Sequence, residues 1–321
     1  MAVNMAPTKH TMKAAVLPGS GSAPKIHSIP VPEPGEGEVR VRVYAASVNG
    51  FDLSVAGGRL EGMMEHRFPV VLGKDFAGSI DAAGAGVSGF APGERVFGVV
   101  TKPYLGDGSF GEFVTVPVEI GLARLPDGIE FETGAALGLA GTTARLAVDA
   151  AELGAGQTVL ITGATGGVGA IAVQLAAQAG AHVIATAHGE EANRLVTELG
   201  AAEVVDYTQD VAAQVRAAHS DGIDAVLHFA GDPGAVLPLV RDGGRLASTL
   251  IMSPDEIPSD TVTVKAIYAV PTAQVLNGLA DAVASGSLTV PVQRTYDLDD
   301  APAALGAFAQ GTLGKLVITV R

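Results

Sequence analysis

The sequence predicts an α/β protein in which a mostly β amino-terminal half precedes a doubly wound parallel sheet. From residue 12 to about residue 118, short β patterns are separated by Gly and Pro residues. From about residue 158, strand and helix patterns alternate, which is typical of a parallel sheet covered by helices on both faces. With roughly 100 to 200 residues per domain, the 321 residues correspond to about two domains.

In chain order, the first half has β patterns at residues 13–17, 38–47, 78–82, 95–99 and 112–116. A helical pattern at 135–153 ends at Gly154, a typical C-cap residue. Strand patterns at 158–162, 182–187, 203–206, 225–229 and 245–250 then alternate with helical patterns at 167–179, 190–199 and 211–219. A strand pattern at 262–270, a helix at 272–284 and a tail with a strand at 315–320 follow.

We expect the β tail to return to the first half, which divides the chain into three parts. Residues 12–134 and 286–321 form the β domain, residues 135–285 form the parallel-sheet domain, and residues 1–11 are a disordered or extraneous extension. A cleft then lies between the two domains, where ligands commonly bind.

Charge and composition exclude several functions. The chain has 20 Lys and Arg against 34 Asp and Glu, a formal net charge of −14, which disfavours nucleic acid and anionic membranes as partners. It has no Cys, so disulfides, thiolate nucleophiles and Cys-held zinc are absent. Neither a signal-peptide pattern nor a stretch of about 18 uninterrupted apolar residues occurs, and we expect a cytoplasmic protein.

A glycine-rich turn at residues 163–169 predicts a dinucleotide site. It has the form A-x-G-x-x-G, with Ala164, Gly166 and Gly169 at the three motif positions, between a strand pattern and a helix pattern. Gly166 allows the backbone to approach a pyrophosphate, and the N–H groups of Gly167 and Val168 can donate to it. The alternative is a glycine-rich turn without a ligand.

The end of the second strand of this unit favours NADP over NAD. An Asp or Glu there would hold the ribose 2′-OH of NAD, but the strand ends with Ala187 and His188 and has no carboxylate at its tip. His188 and Arg194 can donate to a 2′-phosphate. Two alternatives to the NADP prediction stay open: Glu190 or Glu191 folds back to bind the ribose, and Arg194 lies on a solvated helix face without contacting the cofactor.

Several separated motifs occur together in one order: residues 46–52 (ASVNGFD), 69–78 (PVVLGKDFAG), 93–98 (GERVFG), 108–113 (GSFGEF), 142–144 (TTA), 199–201 (LGA), 204–207 (VVDY) and 314–317 (GKLV). With the glycine turn, they resemble the medium-chain dehydrogenase/reductase superfamily, and within it the zinc-independent quinone oxidoreductase and enoyl reductase branch, also called zeta-crystallin-like. The resemblance implies a GroES-like β domain and a Rossmann domain with NADPH between them. It also implies cofactor contacts by Thr143 near the nicotinamide, Gly166, Gly167 and Val168 at the pyrophosphate, Tyr207 at the adenosine phosphate end and Ala230 near the nicotinamide ribose.

The resemblance further implies that no metal is used. Zinc alcohol dehydrogenases of the superfamily have a Cys in the segment matching residues 49–52 and Gly-His-Glu where this chain has Gly73, Lys74 and Asp75. Without thiolate or imidazole ligands, a Lewis-acid zinc cannot be held there. The cofactor must then carry the difficult step, with a quinone or an alkene conjugated to a carbonyl accepting hydride.

Two residues are candidates for contacting the substrate. The amide of Asn49 can orient substrate or cofactor, and the ammonium of Lys74 can stabilise a developing oxyanion. Alternatively, Asn49 bonds to backbone and Lys74 is solvated or salt-bridged. We expect Asp52, Asp75 and Glu112 to stabilise loops.

The edge strand at 262–268 favours a homodimer. Two rival functions stay open: a zinc-free NADP-dependent alcohol or carbonyl oxidoreductase, and a crystallin-like protein that binds NADPH without turnover.

Overall fold

A computed structural model describes residues 10–321, which form eighteen strands and eight α-helices. The strands are β1 (Thr11–Leu17), β2 (Lys25–Pro30), β3 (Glu38–Ser47), β4 (Glu65–His66), β5 (Val70–Val71), β6 (Asp75–Ala83), β7 (Arg95–Val99), β8 (Tyr104–Leu105), β9 (Phe113–Pro117), β10 (Leu122–Arg124), β11 (Thr158–Thr162), β12 (His182–Ala187), β13 (Glu203–Asp206), β14 (Ile223–His228), β15 (Val240–Ser248), β16 (Thr263–Ala266), β17 (Val292–Asp297) and β18 (Lys315–Thr319). The helices are α1 (Gly50–Ala56), α2 (Phe131–Ala151), α3 (Gly167–Gln178), α4 (Glu190–Glu198), α5 (Val211–Ala218), α6 (Pro233–Val236), α7 (Ala273–Ala284) and α8 (Ala301–Phe308).

The carboxy-terminal tail completes the main sheet of the amino-terminal half. The strand order is β10–β7–β6–β3–β18–β17, and β9 also pairs with β3. Strand β18 runs antiparallel to β3, with Val317 opposite Ser47. Alternating inward positions of β3, such as Val39, Val41 and Val43, are buried in the core of this half. The tail therefore lies in the sheet to which the sequence analysis assigned it.

The second half is a six-stranded parallel sheet in the order β13–β12–β11–β14–β15–β16. Strand β11 reads TVLIT, and its central Val159, Leu160 and Ile161 are fully buried, as expected for a parallel strand covered on both faces. Because β11 pairs with both β12 and β14, the winding reverses at β11. In such sheets ligands bind outside the carboxyl ends of the strands at this switch point. The predicted α/β class is confirmed.

Helix α2 packs against elements of both halves, including β3, β6 and α3. Small residues make this possible. A Cβ atom at Gly138 would lie 2.8 Å from the carbonyl oxygen of Gly98 and 2.9 Å from Oδ1 of Asp75, closer than side-chain atoms tolerate. Helix α2 thus holds the β half close to the parallel sheet and brings its own backbone against Asp75.

Some element boundaries differ from the sequence expectations. Helix α2 begins at Phe131, so the expected domain boundary at 134/135 falls within its first turn. Strand β16 is much shorter than the expected 262–270, because its partner β15 ends at Ser248, opposite Ala266. Strand β1 begins at Thr11, inside the expected extension, and residues 1–9 of that extension lie outside the described residues. The domain boundaries themselves stay predictions. No helix within residues 10–321 has the length and hydropathy needed to cross a bilayer.

Candidate active site and cofactor cleft

A cleft of about 750 Å³ lies at the carboxyl ends of the parallel strands and extends to the tail of the β half. The parallel-sheet half lines it with residues that follow β11, β12, β13 and β14, and the tail contributes Gln293, Phe308 and Leu313. The cleft therefore lies where the winding of the sheet reverses and where the two halves meet, as the sequence analysis expected.

The glycine turn forms one wall of the cleft. Gly166 is the N-cap of α3, and the helix begins at Gly167. The first-turn N–H groups of a helix have no acceptor within it, and together with the helix dipole they favour an anion. A Cβ atom at Gly169 would overlap the carbonyl oxygen of Gly163, so only glycine lets α3 start so close to β11. This backbone cradle fits the pyrophosphate of a dinucleotide.

At the adenosine end of the expected site, a carboxylate stands beside His188. Nδ1 of His188 is 3.1 Å from both carboxylate oxygens of Asp206, at the end of β13. The hydroxyl and backbone N–H of Thr208 also donate to Asp206 and lower the pKa of its carboxyl group. The exposed ring of Tyr207 lies edge-on to His188, with 6.0 Å between ring centroids. The sequence analysis considered a carboxylate at the end of the second strand, or Glu190 or Glu191 just after it, whereas Asp206 comes from the third strand.

Four of the eight expected cofactor residues line the cleft: Gly166, His188, Tyr207 and Ala230. The other four, Thr143, Gly167, Val168 and Arg194, are not among its lining residues. Thr143 is buried on α2 and its hydroxyl donates to the carbonyl of Leu139 at 2.7 Å. Arg194 is exposed on α4.

Beside the glycine turn lies a group of buried polar side chains, called here the buried charge cluster: Ser47, Asn49, Asp52, Asp75 and Lys315. Nζ of Lys315 donates to Oδ1 of Asn49 at 2.6 Å and to the carbonyl of Val48 at 3.1 Å, and it lies 3.4 Å from Oδ2 of Asp75. A Cβ atom at Gly167 would collide with the aliphatic stem of Lys315. The cluster and the cofactor cradle are therefore in direct contact.

The two carboxylates of the cluster are held differently. Asp75 accepts hydrogen bonds from the hydroxyl of Ser47 at 2.6 Å, the amide of Asn49 at 2.8 Å and the backbone N–H of Leu139 at 2.6 Å. Asp52 accepts the backbone N–H of Asn49 at 2.9 Å. Burial raises the pKa of Asp52 to about 7, although this hydrogen bond opposes the shift. Of the three acidic residues expected to stabilise loops, Asp52 bonds to the residue that precedes α1, and Glu112 accepts the backbone N–H of Lys13 in β1 at 2.6 Å. Asp75 instead bonds to Leu139 within α2, so it joins strand β6 to a helix.

The two candidate catalytic residues are engaged with protein partners. The amide nitrogen of Asn49 donates to Asp75 and to the Ser47 carbonyl, and its oxygen accepts from Lys315. Nζ of Lys74 donates to the carbonyl of Val100 at 2.6 Å and lies 4.7 Å from the ring centroid of Phe51. Burial lowers the pKa of Lys74, against the pull of Asp52 and Asp75.

Sequence reasoning gave no role to Lys315, the only cation in the cluster. A signal was present, since Lys315 belongs to the closing GKLV motif at 314–317. Burial lowers the pKa of its ammonium group, while Asp75 and Asp52 act in the opposite direction. Its partner Asn49 lies 266 positions away in the chain, a separation that no local pattern can bridge.

Comparison with known proteins agrees with this geometry. A family model described as alcohol dehydrogenase GroES-like domain matches residues 35–127, and one described as zinc-binding dehydrogenase matches residues 167–273. A chloroplast envelope quinone oxidoreductase homolog from Arabidopsis thaliana is 31% identical over 94% of this chain and 95% of its own length. The chain belongs to the quinone oxidoreductase family of medium-chain dehydrogenases/reductases.

Solved structures give the same result. The quinone oxidoreductase from Coxiella burnetii superposes with a TM-score of 0.88 at 26% identity, over 97% of this chain and all of that one. A mycobacterial protein solved in complex with NADPH has a TM-score of 0.83 at 28% identity, over 96% of this chain and 99% of its own. The expected resemblance is confirmed, and this member of the family is an oxidoreductase that uses a nicotinamide cofactor and a small-molecule substrate.

Proposed function

We propose that this family member transfers hydride from NADPH to a quinone or to an alkene conjugated to a carbonyl, without zinc. The observation that carries the proposal is the contact between the glycine cradle and the buried charge cluster, whose one cation is Lys315. Lys74 occupies the position of the histidine ligand in the zinc relatives, and its ammonium is bonded to Val100. An ammonium group repels a divalent cation, and the neighbouring Asn49 and Asp75 are already engaged with Lys315.

The proposed roles of the chain's own residues follow from their contacts. When bound, the nicotinamide would supply the hydride. The first turn of α3 would hold the pyrophosphate, and Ala230, whose N–H donates to Thr162 Oγ1 at 3.3 Å, would limit the space beside the ribose. We assign Asn49 a positioning role, because both ends of its amide are occupied. Lys74 is the remaining candidate for contacting a substrate oxygen.

NADPH is favoured over NADH by the adenosine end of the cleft. The tip of β12 carries His188 and no carboxylate, and the carboxylate nearby, Asp206, is already engaged with His188 and Thr208. An imidazole can donate to a 2′-phosphate, whereas an uncommitted carboxylate would repel it. The complex of the mycobacterial relative with NADPH adds support. Replacement of His188 by Ala should raise the Kd for NADPH more than the Kd for NADH.

The test is a matched set of turnover assays. Purified protein is mixed with NADPH and 9,10-phenanthrenequinone or an enone, and separately with NADP⁺ and secondary alcohols, while the nicotinamide absorbance is followed. We expect oxidation of NADPH in the first assays, unchanged after treatment with a chelator. Turnover of alcohols would favour the rival carbonyl oxidoreductase, and tight NADPH binding without turnover would favour the crystallin-like protein. Loss of activity with chelator, in protein whose circular dichroism shows that it stays folded, would refute zinc independence of the reaction.

We also propose a homodimer formed at the β16 edge of the parallel sheet. Near that edge four large apolar side chains are exposed: Leu250, Met252, Tyr268 and Val270. A sheet edge flanked by exposed apolar residues is a natural pairing surface.

A further inference from the structure

A second group of potential ligands lies on the parallel-sheet half, outside the cofactor cleft. Among the described residues, His182, Glu203 and His219 offer one imidazole nitrogen, one carboxylate oxygen and a second imidazole nitrogen that all lie within 4.8 Å of one another. Nε2 of His182 is 2.6 Å from Oε1 of Glu203, and Nε2 of His219 is 3.1 and 3.2 Å from the two oxygens of Glu203. We propose that these three side chains bind a divalent zinc ion.

The backbone holds the three residues in place. His182 is the first residue of β12, and its N–H donates to the carbonyl of Gln157 at 2.7 Å. Glu203 is the first residue of β13, the neighbouring strand in the sheet. His219 is the C-cap of α5, with its N–H bonded to the carbonyl of Val215 at 2.8 Å. Three separate elements therefore deliver ligands to one point, so little ordering is needed on binding.

The spacing suits the coordination of zinc. With zinc–nitrogen and zinc–oxygen bonds of about 2.0 to 2.2 Å, two ligand atoms of a tetrahedral site lie roughly 3.3 to 3.5 Å apart. The contacts of Glu203 with His219, at 3.1 and 3.2 Å, are within a few tenths of an ångström of this value. The contact with His182, at 2.6 Å, must lengthen by roughly 0.7 to 0.9 Å to reach it. Two imidazoles and one carboxylate form a known type of three-residue zinc set, which leaves the fourth position to water.

The charge at the site also suits a cation. The carboxylate of Glu203 faces an imidazole nitrogen of His182 and one of His219, and it brings an anionic oxygen ligand to the site. All three side chains are half-buried and partly open to solvent, which gives an ion a path of entry. Imidazole is a preferred ligand of zinc and other late first-row metals.

The site is separate from the proposed oxidoreductase function. His182 and Glu203 lie at the amino ends of their strands, whereas the cofactor cleft lies at the carboxyl ends. A bound ion would tie the starts of β12 and β13 to the end of α5 and stabilise this edge of the sheet. The sequence analysis expected no metal site, and this proposal departs from that expectation without involving the catalytic position of the zinc relatives.

The experiment is titration of the full, metal-stripped chain with Zn²⁺ by calorimetry, with Co²⁺ as a spectroscopic probe. We expect one zinc per chain, and a melting temperature raised by roughly 5 °C when zinc is at about a hundred times its Kd.

Three variants decide the outcome. Glu203→Gln keeps hydrogen-bonding capacity toward the histidines but removes the anionic ligand, and His219→Gln removes one imidazole; each should weaken zinc binding at least about tenfold, since even the loss of a residue that only orients a ligand costs that much. His188→Gln is the matched control, because His188 pairs with a carboxylate on the same sheet but has no second imidazole. Undetectable zinc binding by wild type, or equal affinity in wild type and Glu203→Gln, would overturn the proposal.

Discussion

Replacing Lys315 with Met tests whether the buried charge cluster holds the two halves together electrostatically. The Lys315 side chain is only 3% exposed, and its Nζ is 3.4 Å from Oδ2 of Asp75. At that distance an effective dielectric constant of about 20 gives an attraction of roughly 5 kcal/mol. Methionine retains the aliphatic stem that packs on Gly167 but removes the charge. Breaking a buried pair in this way costs about 3 to 5 kcal/mol, because the partner carboxylate stays buried.

The pH dependence of this loss follows from Asp52. Its pKa is raised to about 7, so Asp52 adds a negative charge to the cluster at about pH 8 and is neutral at about pH 5. The free energy of unfolding lost in the variant should therefore be larger at pH 8 than at pH 5. Urea denaturation followed by circular dichroism at both pH values measures it.

Lys265 provides a matched control. Its Nζ bonds to the carbonyl of Ala150 at 2.9 Å and lies 3.4 Å from Glu152, but its side chain is 37% exposed. Replacing Lys265 with Met should cost less than about 1 kcal/mol, as for other exposed ion pairs. A loss below about 1 kcal/mol for Lys315→Met at pH 8, or equal losses at the two pH values, would refute the electrostatic reasoning.

Three further predictions concern the same structure. The raised pKa of the Asp52 carboxyl makes the wild type lose stability as the pH rises from about 4 to about 7. The free energy of unfolding of Asp52→Asn should therefore increase relative to that of the wild type, by up to about 1.4 kcal/mol per pH unit over this range, and level off above it. Denaturation across this range checks the prediction. Gly169→Ala should raise the Kd for NADPH in a fluorescence titration, and its overlap with Gly163 should cost about 1 to 3 kcal/mol of stability. The control is Gly278→Ala on α7, which should be neutral or stabilising because a Cβ atom there meets open space. Tyr268→Asp should convert the expected dimer to monomers in sedimentation velocity, and an unchanged dimer would place the interface elsewhere.

Features encoded by neighbouring residues could be predicted from the sequence. The turn at 163–169 lies between a β-branched run and an Ala-rich helix, and its glycines are required by contacts within the same unit, such as Gly169 against Gly163. Strand β16 was predicted too long because its end depends on β15, whose last paired residue is Ser248. The local pattern at 262–270 contains no information about where that partner stops.

Side chains that meet across the fold could be predicted only in part. His182 and Glu203 begin adjacent parallel strands, so their proximity follows from strand order alone. The position of His219 depends in addition on the angle at which α5 returns to the sheet. The pairing of Lys315 with Asn49 required knowledge that β18 lies beside β3.

The segment containing Gly314 and Lys315 explains how the cofactor cradle is fixed to the β half. The N–H of Gly314 donates to the carbonyl of Thr165 at 2.6 Å, next to a parallel bridge between Gly166 and Gly314. Gly314 has a φ of +93°, and a Cβ atom there would overlap the carbonyl of Pro291, so this backbone contact requires glycine. Lys315 then carries the connection inward to Asn49. Gly314 and Lys315 thus join the glycine turn, the tail and the start of α1. A change in the width of the cleft must therefore either move these three segments together or break the hydrogen bond between Gly314 and Thr165.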